Sequence, residues 1–186
     1  AANVRDIACD AGTTHSMIRY HFGTKDQLWR ETVRDMFEHL NAMIEKLDEV
    51  GRRDKLTRRE LFRQFVRSYV KYCAEHPEHA RITIMESIRG GERFNWMVNE
   101  FVAPGHREGQ RDFEQMVKTG LLPSMPYPSY IYALVGMAQL PFVLAREASL
   151  ALQYDFLSEE AINRHADAVY EIMVNPEPAE AVRGGD

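Results

Sequence analysis

The sequence predicts an all-α fold, and three features carry that expectation. Apolar residues recur at spacings of three and four in one segment after another. These segments open on capping residues and close on glycine or proline. No stretch alternates apolar and polar residues as a half-buried strand would. The 186 residues are 45% hydrophobic and 27% charged, which is enough to bury a core and excludes a disordered chain.

The first helix is expected over Val4 to Ala11, with Val4, Ile7, Ala8 and Ala11 on one stripe and Asn3 as N-cap. Gly12 lets the chain leave it in a left-handed conformation. Thr14 caps a second short helix, whose buried residues should be Met17 or Ile18 together with Phe22. Gly23 ends it. Thr24-x-x-Gln27 is a capping box that opens a third helix. The third runs to about Glu49, with Leu28, Val33, Met36, Phe37, Leu40, Ile44 and Leu47 on its apolar stripe and Gly51 as its stop. Such a helix is roughly 36 Å long.

Thr57-Arg58-Arg59-Glu60 is a second capping box and opens a helix to about Glu75. Leu61, Phe62, Phe65, Val66, Tyr69, Tyr72 and Cys73 lie on one side of it. Pro77 starts the next helix, which ends at Gly90-Gly91. A helix from Glu92 should break or kink at Pro104-Gly105 and resume to Thr119. Pro123, Pro126 and Pro128 predict a loop over residues 121–128. The most apolar helix, Ser129 to Leu152, should bend at Pro141 and is too interrupted for a membrane span. A last helix runs from a Ser158 cap to about Val174, and residues beyond Asn175 are expected to fray.

Two short helices joined by a glycine turn form a helix-turn-helix, a unit that commonly places its second helix in the DNA major groove. Here the agreement extends to individual residues. Ile7-Ala8, Ala11-Gly12 and Ile18-x-Tyr20-His21-Phe22-Gly23-x-Lys25-x-x-Leu28 resemble the DNA-binding segment of the TetR family of bacterial transcriptional regulators, from residue 3 to residue 28 without a gap. Two departures stand out. The family has an earlier helix, before the point where this sequence begins. The position before Tyr20, often aromatic in the family, is Arg19.

The resemblance implies a sequence-specific DNA-binding regulator, most simply a repressor released from a palindromic double-stranded operator by a small molecule. Its organisation would be a DNA-binding domain over residues 1–40, a helical ligand-binding and dimerisation domain over 41–175, and a flexible tail over 176–186. His15, Ser16 and Met17 would face base edges. Thr14, Arg19, His21 and Lys25 would hold phosphates, with Tyr20 in the same motif and Arg5 reaching the backbone or a base. Only apolar contact is open to Met17, whereas His15 and Ser16 can hydrogen-bond. The resemblance also implies a homodimer built from the apolar helix around Ile131–Leu144 and the last helix, through Ile162, Ala166, Val169 and Met173.

The family's effector pocket lies in the C-terminal domain. Phe65, Tyr69, Met85, Trp96, Met97, Tyr130 and Met137 are aromatic and Met candidates to line it, and they suit an apolar or aromatic ligand. Glu86, Arg89, Asn95, Asn99 and Gln139 are polar candidates to orient the ligand. Most of this aromatic content must be ordinary core.

Net charge is −5, so any DNA footprint is a local patch on an acidic body. Arg5, Arg19 and Lys25 form it, close to Asp6, Asp10 and Asp26. The basic run from Arg52 to Arg59 reads as solvated surface. Cys9 and Cys73 form no disulfide framework, are expected as buried thiols, and suit a cytoplasmic protein. His76-x-x-His79 and His106 have no second close pair to complete a metal site, and no spacing predicts a catalytic arrangement or a cofactor. Two other readings stay open: a helical ligand-binding protein whose helix-turn-helix does not read DNA, and a helical enzyme.

Overall fold

The computed structural model describes residues 3–176, and these contain helices and no strand. In chain order the helices are α1 (Val4–Asp10), α2 (His15–Phe22), α3 (Lys25–Arg53), α4 (Arg58–Glu75), α5 (Pro77–Arg89), α6 (Glu92–Met97), a π-helical segment (Val98–Val102), α7 (Ala103–Lys118), α8 (Tyr127–Val143), α9 (Ala145–Ala151) and α10 (Glu159–Met173). The chain divides into two compact units, Ala1–Met43 and Ile44–Asp186.

In the first unit the buried apolar residues are Ala8, Ile18, Val33, Met36 and Phe37. In the second, α4 lies at the centre. α8 and α10 both pack on it, and α5 packs on α4 and α8. The fully buried side chains Val66 and Val70 of α4, Phe142 of α8, and Val169 and Tyr170 of α10 mark this core. An ionic seam runs along α4 and α10. Arg67 donates to Asp167 through Nε at 2.9 Å and Nη2 at 2.7 Å, Arg63 pairs with Glu171 at 3.4 Å, and Arg59 donates to the Asn175 carbonyl at 3.3 Å. The two carboxylate pairs are half-exposed, so each contributes no more than about 1 kcal/mol. Arg59 is therefore occupied within the fold, while Arg53 pairs with its neighbour Asp54 at 2.7 Å.

Several expectations change. α3 does not stop at Gly51 but runs through it to Arg53, 29 residues in all. A Cβ at Gly51 would stand 2.9 Å from Leu61 Cδ1, so the glycine admits close approach of α4 rather than ending α3. No loop interrupts the chain at Pro104-Gly105. The irregularity lies just before it, where Ala103 N–H bonds to the Val98 carbonyl five residues back. Pro104 follows that bond in a backbone that stays helical from α6 into α7, and it offers no N–H to the carbonyls of the preceding turn, which the wider π-type turn accommodates. α8 begins at Tyr127 and takes Pro128 into its own first turn. The apolar helix does not continue to Leu152. It ends at Val143 and turns by 69° into α9. Among the described residues no single helix is long and apolar enough to cross a membrane; α8 and α9 pass that test only as a bent pair.

α10 matches its expectation, with the Ser158 hydroxyl accepting from Ala161 N–H. Asn175 is tied down by donating to the Gly120 and Leu122 carbonyls at 3.1 and 3.0 Å. The tail from residue 177 lies outside the described residues. Cys73 is buried as expected, but Cys9 is exposed, on the outer side of α1.

Candidate nucleic-acid interface

The first unit is held by local hydrogen bonds that its sequence specifies. Asn3 Oδ1 accepts from Arg5 N–H at 3.1 Å and starts α1. α1 ends in a Schellman motif: Thr13 N–H bonds to the Ala8 carbonyl at 2.9 Å and Gly12 N–H to the Cys9 carbonyl at 3.0 Å, with Gly12 at φ 62°. Thr14 Oγ1 accepts from Met17 N–H at 3.3 Å and starts α2. The capping box of α3 is complete, with Thr24 N–H on Gln27 Oε1 at 2.9 Å and Gln27 N–H on Thr24 Oγ1 at 3.1 Å. This bond explains Gly23. At φ 70° it turns the chain, and a Cβ there would lie 2.4 Å from Gln27 Oε1, so any other residue would break the cap.

With both ends fixed, α2 is anchored by one buried residue. Ile18 is 8% exposed, Phe22 is half-buried, and Met17 is 45% exposed. Of the two candidates Met17 and Ile18, it is Ile18 that faces inward. Thr14, His15, Ser16, Met17, Arg19, Tyr20 and His21 are all exposed, Tyr20 at 81%. Its ring meets His21 edge-on at 5.2 Å. Arg5 and Lys25 are exposed as well. An open recess of about 280 Å³ gathers His15, Arg19 and Lys25 with Thr24 and the backbone of Gly23 over a floor of Val4 and Ile18. Two permanent cations and one titratable ring thus converge at the α2–α3 corner. Asp26, the nearest carboxylate in sequence, is paired with Arg30 at 2.8 Å.

The expected ligand-lining residues are spread across the second unit. Phe65 and Tyr69 stack at 5.8 Å, and Gln139 Nε2 donates to the Tyr69 hydroxyl at 3.0 Å. Burial raises the Tyr69 phenol strongly and pushes the Cys73 thiol up to about 12. Tyr130 lies against Phe113 at 4.7 Å and donates to the Met173 carbonyl. Met97 is fully buried, Met137 is half-buried, and half-buried Trp96 meets Phe101 edge-on at 5.4 Å. Met85 faces outward at 51% exposure, away from these side chains. Among the polar candidates only Glu86 is buried; Arg89, Asn95 and Asn99 are exposed and Gln139 is engaged with Tyr69.

The histidines separate. His76 pairs with Glu78, His79 Nδ1 shares a hydrogen bond with the Tyr72 hydroxyl at 2.9 Å, and His106 meets Tyr127 at 3.2 Å. Among the described residues no three His, Cys, Asp or Glu side chains are placed to hold a metal ion.

No family model matches the chain, and no curated protein matches it.

His165, whose Nε2 lies 2.9 Å from the Met137 carbonyl oxygen of α8, carries no signal for this role in the sequence. Pro141, which lacks the N–H that would bond that carbonyl, is plain in the sequence; the distant partner is not.

Proposed function

We propose that the chain is a sequence-specific DNA-binding regulator of the TetR type, working in the cytoplasm as a homodimer on a two-fold operator. A small molecule bound in the unit Ile44–Asp186 would release it. One observation carries this reading: α2 gives a single residue, Ile18, to the core and turns His15, Ser16, Met17, Arg19, Tyr20 and His21 to solvent. A short helix contributes little stability by exposing six such side chains, and a bonded cap or glycine at each end holds them in fixed register. Donors, acceptors and cations so arranged suit base edges and phosphates.

The homodimer draws support from α8. Tyr132, Gly136 and Leu140 recur every four residues, with Leu144 one turn further on. Tyr132 and Leu140 are exposed large hydrophobics, and a side chain at Gly136 would meet open space. An apolar stripe with a small residue at its centre suits an isologous contact. The dimer residues expected on α10 need correction: Ala166, Val169 and Met173 are buried against this chain's own helices, because α10 packs on α4 and α8. Ile172 is the exposed apolar residue there.

Selection from random double-stranded DNA tests the proposal. An inverted repeat with half-sites about one helical turn apart, roughly 34–36 Å or somewhat more, is the expected product. Recovery of no enriched sequence would count against it.

A further inference from the structure

The recess at the corner of α2 and α3 has two kinds of wall. Val4 and Ile18 form an apolar floor, and His15, Arg19, Thr24 and Lys25 stand around it. No described carboxylate lines it. Asp26, the residue after Lys25, is bonded to Arg30 Nε at 2.8 Å. The site is local to the first unit, because every lining residue lies between Val4 and Lys25.

A phosphate of the DNA backbone uses only the rim. Its oxygens take cations and donors, but it has no apolar surface to set against Val4 and Ile18. The backbone amides at the corner are already engaged: Gly23 N–H bonds to the Arg19 carbonyl and Thr24 N–H to Gln27 Oε1, both at 2.9 Å. An anion here is therefore held by side chains, first of all by the Arg19 guanidinium, which can meet a carboxylate with two parallel N–H donors. The recess has a volume of about 280 Å³. A closed cavity of about 150 Å³ takes benzene, so there is room for one aromatic ring on the floor and an acid group at the rim.

We infer that this recess binds a small aromatic carboxylate, which displaces DNA directly. This rests on the proposal that the same corner holds DNA phosphates, and it adds a route of release separate from an effector in the unit Ile44–Asp186. The carboxylate takes the place of a phosphate on Arg19 and Lys25. The ring covers Val4 and Ile18 and gains apolar burial that a phosphate cannot. Guanidinium groups also stack on aromatic faces. Because one patch serves both ligands, they cannot be bound together. The apparent Kd for DNA then rises in proportion to ligand concentration without limit. An effector bound elsewhere changes DNA affinity by a fixed coupling factor and reaches a plateau.

The test uses benzoate, with benzamide as its neutral isostere and acetate as the same charge without the ring. Each is added to the full chain at an ionic strength held constant with chloride, since DNA affinity depends on salt. Without DNA, benzoate should saturably shift the NMR methyl signals of Val4 and Ile18 and the amide signals of Gly23 and Thr24. It should bind roughly ten times more tightly than benzamide or acetate. Arg19→Gln should weaken benzoate binding roughly tenfold. Arg146→Gln, at an exposed arginine of α9 in the second unit, should leave it unchanged. On the selected DNA, the apparent Kd should climb linearly with benzoate. A match of benzoate by either other probe, the absence of a saturable shift, or shifts confined to the second unit overturns the inference. So does unchanged benzoate binding by Arg19→Gln, or a plateau in the DNA titration. If Arg19→Gln fails to fold, the comparison of the three probes on the wild type still decides. The two arms fail separately: benzoate in the recess without DNA binding keeps the anion site and removes the regulator, whereas DNA binding without benzoate shifts keeps the regulator and removes this inference.

Discussion

His165 Nε2 lies 2.9 Å from the Met137 carbonyl oxygen, and Met137 is the residue four before Pro141. In a regular helix residue 141 would donate its N–H to that carbonyl, but proline has none. His165 of α10 supplies the missing donor, which fixes its tautomer with the proton on Nε2. Its ring packs edge-on against Phe142 and Phe156, at 6.1 and 5.6 Å. α8 therefore continues past the proline to Val143 before turning into α9.

The first prediction follows from this bond. His165→Phe keeps an aromatic ring, a somewhat larger one, but leaves the Met137 carbonyl without its donor, and should cost about 1–3 kcal/mol. Pro141→Ala restores a backbone N–H at the right place. In that background His165→Phe should cost much less, and the two changes should be non-additive in urea unfolding. Additive effects would mean that the histidine acts through packing alone.

These residues also mark what the sequence made legible. Elements governed by neighbours in the chain could be read: the Thr24–Gln27 and Thr57–Glu60 capping boxes, the Gly12 exit and the Ser158 cap all form as the sequence predicts. Features set by distant partners could not. Gly51 reads as a stop by composition but serves the approach of Leu61, and Pro141 reads as a bend although His165, 24 residues later, bonds the carbonyl it leaves open. Val169 reads, through the resemblance, as a dimer-interface residue, yet a regular stripe does not tell whether its partner is another copy or α4 and α8, against which it is buried. At the candidate interface, the side chains of α2 were legible because a helix this short can bury only one face.

The second prediction separates base from phosphate contacts. Lys25→Ala should weaken binding to every DNA sequence alike and reduce the salt slope by about 0.9 for one lost phosphate contact. His15→Ala should relax preference at particular base positions, each worth about 1–3 kcal/mol. A change of sequence preference in Lys25→Ala with an unaltered salt slope would reverse the assignment.

The third concerns assembly. Leu140→Glu places a charge on the exposed stripe of α8 and should convert a dimer to a monomer in light scattering while the melting temperature of the monomer stays defined. Val169→Asp should behave differently. Val169 is 1% exposed, so an unpaired carboxylate there should cost several kcal/mol and unfold the second unit rather than release a folded monomer. A wild-type monomer at micromolar concentration would remove the dimer from the proposal.

The last prediction is a pH dependence. Burial lowers the His79 pKa from 6.5 to about 4; Glu78 opposes the shift and His76 adds to it. The folded chain keeps this ring neutral, with Nδ1 hydrogen-bonded to the Tyr72 hydroxyl, while the unfolded chain protonates it near its ordinary value. Between these two values the unfolded state binds more protons, so stability rises with pH. It is fully present above about pH 6.5, falls as pH drops through the window, and levels off below the folded value of about 4. The shift corresponds to no more than about 3 kcal/mol. His79→Gln can still pair with the tyrosine hydroxyl but cannot titrate. Urea unfolding at pH 7, 6, 5 and 4 should show the wild-type loss and a flatter profile for the variant over the same window. Parallel profiles would mean that His79 is not the group whose charging weakens the fold.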